Sequence, residues 1–166
     1  MNTKVPDFDR DLTGVLVHAC CAPCACVLPR STKFFFNGDN FDTRDEYLRR
    51  RAAMEVFAPD AVIDEYDPKV FPGCAECIRY RLVRCAEVAK ENGFMAFTTT
   101  LTVSPHKNTG EINAIGREVG ESVGISFIEL DLKKHGGFLK SVRVAKELGL
   151  YRQNYCGCNL SARKLR

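Results

Sequence analysis

The chain has 166 residues, a formal net charge of +3, and 45% hydrophobic and 27% charged residues. That is enough for one ordinary core and unlike a disordered or collagen-like composition. No apolar run is long enough for a membrane-spanning helix, and the polar N-terminus MNTKVPDFDRDLTG lacks a signal-peptide core. A reducing cytoplasm is therefore the expected setting, and there nine cysteines read as metal ligands or redox groups rather than a disulfide framework.

In chain order, short apolar runs alternate with segments of helical period. Gly14–His18 reads as a buried strand and Thr32–Phe36 as a second, with at most a stubby helix between them. Thr43–Phe57 follows as a helix, opened by Thr43 as N-cap with Glu46 three residues on, a capping box. Ala61–Glu65 is a third strand. Cys74–Asn92 is a helix whose inner face is Ile78, Leu82, Cys85, Ala86 and Ala89, closed by Gly93. Met95–Thr100 is a fourth strand, Asn108–Val119 a helix, Ile125–Leu130 a fifth strand, and Phe138–Leu148 a helix ending at Gly149. The tail YRQNYCGCNLSARKLR reads as a loop followed by a short helix.

This alternation predicts βαβ units. The expected fold is a three-layer, Rossmann-like α/β arrangement, a mostly parallel sheet with helices on both faces, in a single domain over 1–166. Ligands in such folds sit beyond the carboxyl ends of the strands. Two of the segments there, HACCAPC and EYDPKVFPGCAEC, carry cysteine clusters.

Charge is divided unevenly. Residues 1–131 carry a net −5, whereas residues 132–166 hold nine basic residues against Glu147 alone, a net +8. A basic block of this kind suits a polyanion such as RNA, and equally a solvated helix face.

The cysteines fall into groups. Cys20, Cys21 and Cys24 form CCxxC directly after the first strand, Cys74 and Cys77 form CxxC at a helix start, and Cys156 and Cys158 form CGC near the C-terminus. Cys85 lies on an apolar helix face and reads as core, as does Cys26. Four thiolates hold either zinc or a [4Fe–4S] cluster. Seven exceed the need of one such site, and the adjacent pair Cys20–Cys21 suits two neighbouring sites. An iron–sulfur cluster beside a second thiol-rich metal site or a redox-active thiol pair is the favoured reading.

Here a resemblance becomes specific. HACCAPC, FFFNGDN, DEYLRRR, EYDP, GCAECIRYRL, FTTTLTVSPHKN, DLKKHGG and LYRQNYCGC occur in this order between about Val15 and Ser161. Together they resemble the epoxyqueuosine reductases of the QueH type, the cobalamin-independent enzymes of tRNA queuosine synthesis. The resemblance implies a fold related to the nucleotide-hydrolase, PP-loop-like group. It also implies a [4Fe–4S] cluster with an adjacent iron, and reduction of epoxyqueuosine to queuosine at the wobble position of the tRNA anticodon loop. The ligand set it implies is Cys20, Cys21, Cys24, Cys74, Cys77, Cys156 and Cys158, undivided between the two metal sites. The stretch from EYDP to GCAEC and the segment between Cys26 and Phe34 are short compared with that pattern.

Removing an epoxide oxygen to leave an alkene takes two electrons and two protons. A cluster relaying electrons beside an iron acting as Lewis acid fits that need, with an unidentified electron donor. His18, Asp67 and Tyr155 are the candidate proton donors by motif position. Lys107, Lys133, Lys134 and Arg152 are candidate phosphate contacts, and Tyr151, Tyr155 and Phe71 candidate stacking groups for an unstacked loop base. An ATP-dependent PP-loop enzyme would need a Gly/Ser-rich phosphate loop where this chain has ACCAPC. The same cysteines could also belong to a non-catalytic zinc-binding RNA module, or to a thiol–disulfide oxidoreductase using Cys74–Cys77.

Overall fold

The computed structural model describes residues 5–157. Cys158 and the expected C-terminal short helix lie outside them, and residues 151–157 are loop. Five strands, β1 (Val15–Ala19), β2 (Lys33–Phe36), β3 (Val62–Ile63), β4 (Ala96–Thr99) and β5 (Ser126–Phe127), form one sheet in the order β3-β2-β1-β4-β5. Every pairing is parallel; Val17 stands opposite Phe34 on one side and Thr98 on the other.

Five helices connect and cover the sheet: α1 (Ala22–Ala25), α2 (Arg44–Phe57), α3 (Cys74–Glu91), α4 (Thr109–Val123) and α5 (Gly137–Glu147). Side chains alternate across a strand, so β1 is divided between two cores. Val15, Val17 and Ala19 pack with α1, α2 and α5, whereas Leu16 packs with Phe35, Phe97 and the inner faces of α3 and α4. The fold is thus the three-layer α/β arrangement with helices on both faces. The first crossover helix is a single turn.

Most elements fall within one residue of their sequence limits at each end, but two strands and one helix differ by more. β3 is two residues rather than Ala61–Glu65, because it borders only β2 and beyond Ile63 the chain turns against the loop after β2. β5 is likewise two residues, because past Phe127 the Thr98 hydroxyl caps the Ile128 carbonyl at 2.6 Å in place of a ladder bond. α4 continues past Val119 to Val123. Gly120 lets the helix lie against the Ile125 carbonyl, and Gly124, at φ 84°, ends it. No helix among the described residues is long and apolar enough to cross a membrane.

The order of connections reverses at β1. The chain moves outward through β2 and β3, then returns to place β4 on the other side of β1. In open parallel sheets that reversal opens a crevice beyond the carboxyl ends of the central strands. HACCAPC lies there.

Candidate metal centre

The two-residue alternation that points Leu16 towards α3 and α4 carries His18, and then Cys20, to the same side. Cys21 is the extended residue ahead of α1, and Cys24 lies within that single turn. The Sγ atoms of Cys20, Cys21 and Cys24 lie within 4.8 Å of one another, and those of Cys21 and Cys24 are 3.0 Å apart. Tetrahedral metal–thiolate bonds of about 2.3 Å hold sulfurs roughly 3.8 Å apart, so the spread suits one thiophilic ion. Cys20 and Cys21 are buried and Cys24 is half-buried. Hydrogen bonds from Cys21 and Cys24, with help from the positive charge of Arg81, hold the Cys20 thiol well below its ordinary range. Donation to Cys20 pushes Cys21 up to about 12 and Cys24 well above its usual value.

Two arginines at 1% exposure stand by these sulfurs. Arg50 on α2 pairs with Glu46 at 2.7 Å and donates to the carbonyls of Cys156 at 2.8 Å and Tyr155 at 2.9 Å. Its pKa is raised: against the cost of burial act the thiols of Cys21 and Cys20 and the Glu46 carboxylate. Arg81 on α3 donates to the Cys77 carbonyl at 3.4 Å. Burial alone would depress its pKa, but Cys77, Cys156, Cys20 and Asp39 outweigh that and raise it. Cys77, Cys156 and Cys20 therefore all lie within the electrostatic reach of one buried guanidinium, although they are far apart in sequence.

The tail is drawn across the site by backbone bonds. Gly157, at φ 108°, accepts from the Asp42 amide at 2.7 Å, and a Cβ there would sit 3.0 Å from Arg50 Nη2. On the other side, the Cys156 sulfur is 3.9 Å from Lys107 Nζ. Residues 155–157 thereby bridge the loops after β2 and β4. Cys74 is exposed, one turn before Cys77.

The remaining sequence candidates fall into distinct settings. His18 is fully buried; its ring nitrogens meet Thr99 Oγ1 at 2.9 Å and Asn37 Oδ1 at 2.8 Å. Burial, then the repulsion of Arg81, lowers its pKa to about 4. A neutral ring so held ties β1 to β4 and to the loop after β2. Asp67 is at the rim, 76% exposed and 2.7 Å from Lys69 Nζ. The Tyr155 hydroxyl donates to Asp42 Oδ1 at 2.8 Å, and burial with that bond raises its pKa. The Tyr151 hydroxyl donates to Glu46 Oε2, and Phe71 packs against Tyr80. Lys133 donates to the Lys107 carbonyl and to Thr109, whereas Lys134 and Arg152 are exposed. Cys85 is buried with no exposure among α3–α4 core residues, and Cys26 donates to the Pro23 and Ser141 carbonyls.

Sequence reading missed Arg50, Arg81, Asn37, Asp39 and Asn40. Asn37 donates to Asp39 Oδ1 at 2.9 Å and to Asn40 Oδ1, so FNGDN folds into a buried polar knot. Gly38 permits it, since a Cβ there would meet the Glu65 carbonyl oxygen at 2.1 Å. A signal for Arg81 existed: four residues from both Cys77 and Cys85, it is a cation inside the buried stripe of its helix.

Fold and site together define a doubly wound α/β protein with three clustered thiols that could hold a metal ion beyond the carboxyl end of its central strand. A sequence-family profile described as Epoxyqueuosine reductase QueH matches residues 15–164. The chain is 34% identical to the Epoxyqueuosine reductase QueH of Thermotoga maritima over 89% of each chain. It is 34% identical to that of Streptococcus pyogenes serotype M1, over 96% of this chain and 74% of the relative. To that of Staphylococcus epidermidis it is 29% identical, over 94% and 79%. The chain belongs to the epoxyqueuosine reductase QueH family, a family of oxidoreductases.

Proposed function

We propose that this chain reduces epoxyqueuosine, carried at the wobble position of a tRNA anticodon loop, to queuosine, using a [4Fe–4S] cluster and an adjacent iron. The observation that carries the reading is the clustered trio Cys20, Cys21 and Cys24 at the topological switch point. Soft thiol donors within one ion's reach, beside two buried guanidiniums, suit a thiophilic metal. Cys74, Cys77, Cys156 and Cys158 complete the proposed ligand set. ATP chemistry is not favoured: the loop after β1 offers sulfurs in place of a glycine-rich phosphate cradle.

The reaction consumes two electrons and two protons and releases the epoxide oxygen as water, the electrons coming from an external one-electron donor. When bound, the cluster supplies electrons singly and the neighbouring iron supplies a Lewis acid for the oxygen. The protein supplies position and protons. Tyr155 holds a phenolic proton beside Cys156, and Asp42 orients that hydroxyl. His18, kept neutral between Thr99 and Asn37, fixes the loop after β2 against the head of β1. Asp67 lies at the rim, where a proton can be taken from solvent. Exposed Lys134 and Arg152 meet the tRNA backbone in this scheme.

Chain purified without oxygen is expected to be brown, to contain iron and acid-labile sulfide, and to bleach on reduction. It should convert epoxide-bearing tRNA when given a one-electron reductant. Stoichiometric zinc without sulfide, or no conversion by metal-loaded protein, would overturn the reading.

A further inference from the structure

Arg81 is in a position that ordinary folding does not explain. It is a guanidinium at 1% exposure, and a buried charge is costly unless a counter-charge accompanies it. Arg50, equally buried, has Glu46 at 2.7 Å. Arg81 has no ion pair among the described residues, its one hydrogen bond there is a long one to the Cys77 carbonyl, and its Nη1 has no hydrogen-bond partner. The groups that act on it most strongly are Cys77, Cys156, Cys20 and the Asp39 carboxylate, and it repels His18. Asp39 is itself buried, and its Oδ2 has no hydrogen-bond partner.

Charge arithmetic gives this arrangement a purpose. Each thiol that binds a divalent ion gives up its proton, so three bound thiolates leave a centre of charge −1 and a fourth makes it −2. A resident cation favours the −2 centre over the empty site, which carries at most the charge of the Cys20 thiolate. We propose that Arg81 is the built-in counter-cation of the thiolate metal centre, a positioning residue whose charge sets how tightly the centre holds metal. This rests on the metal-centre reading above, and it applies to zinc, cobalt or iron alike. Asp39 acts in the opposite direction, because it draws on the same guanidinium.

The test is an anaerobic titration of metal-free full-length protein with Co²⁺, followed by thiolate-to-cobalt charge-transfer absorption, with thermal melting recorded in parallel. R81M should weaken cobalt binding tenfold or more, whereas R81K, which keeps the charge, should stay within about threefold of the unmodified chain. R84M removes an arginine on the same helix that is paired with Asp64 at the surface and should leave affinity unchanged. D39N frees Arg81 from the Asp39 carboxylate and should tighten binding severalfold, which keeps the proposal testable if R81M does not fold. R81M binding as the unmodified chain, R81K as weak as R81M, or D39N no tighter than the parent would each overturn it. An unmodified chain that takes up no cobalt overturns the metal-centre reading along with it.

Discussion

At the scale of the residue, the eight cysteines among the described residues stand in different surroundings and so suit different tasks. Cys85 is walled in by Leu82, Ala86 and Ala89, and burial alone drives its thiol well above the usual range. It is therefore an inert small hydrophobe. Cys85→Ala should cost about 1–2 kcal/mol of stability, the scale of a small buried deletion, and leave metal content unchanged. Cys21→Ala should melt near the unmodified protein and lose the metal, and metal analysis of the two variants side by side separates these outcomes. Asp39 offers a pH test. Burial raises its pKa above 3.8, against a lowering bond from Asn37 and the pull of Arg81. The folded state then binds more protons than the unfolded one in the window above pH 3.8, so stability falls as pH rises through it. Compared with Asp39→Asn, the unmodified chain should lose denaturant resistance between about pH 4 and pH 7. Unfolding curves at the two pH values, taken on metal-free protein, check this.

At the scale of the element, local rules hold where the helix or strand answers to its own sequence. Thr43 accepts from the Glu46 amide at 3.1 Å, the N-cap half of the expected capping box, whereas the Glu46 carboxylate is turned to Arg50 and Tyr151. Thr43→Ala should cost about 1 kcal/mol, read as a lower denaturation midpoint without loss of metal. The inner stripe of α3 is buried as its period predicts. β3 and β5 are shorter than their apolar runs, because such runs mark burial, whereas ladder length depends on how long the neighbouring strand stays alongside. α4 runs past its expected end at Val119 to Val123. In the fold Gly120 is a contact point against β5, and only Gly124, in the left-handed region, ends the helix.

At the scale of the whole molecule, the basic C-terminal block proves uneven in its availability. Lys133 is tied to Lys107 and Thr109, and Lys107 reaches the Cys156 sulfur. Lys134 and Arg152 remain exposed. If tRNA is held through them, its affinity should fall steeply with salt, and replacing both by alanine should reduce the log–log slope by about 1–2. A flat salt response of the unmodified chain would remove this face from the RNA interface. The order of elements, the parallel sheet, the buried α3 stripe and the CCxxC beyond the first strand followed from the sequence itself. Hydrophobic period and chain order are properties of neighbouring residues, and βαβ connectivity leaves few topologies. The convergence of Cys20, Cys77 and Cys156 on Arg81, the polar knot at Asn37, Asp39 and Asn40, and the bond from the Asp42 amide to Gly157 were decided only by tertiary structure. Burial of a charged or polar group depends on partners distant in the chain, and no local pattern records where the fold will bring them.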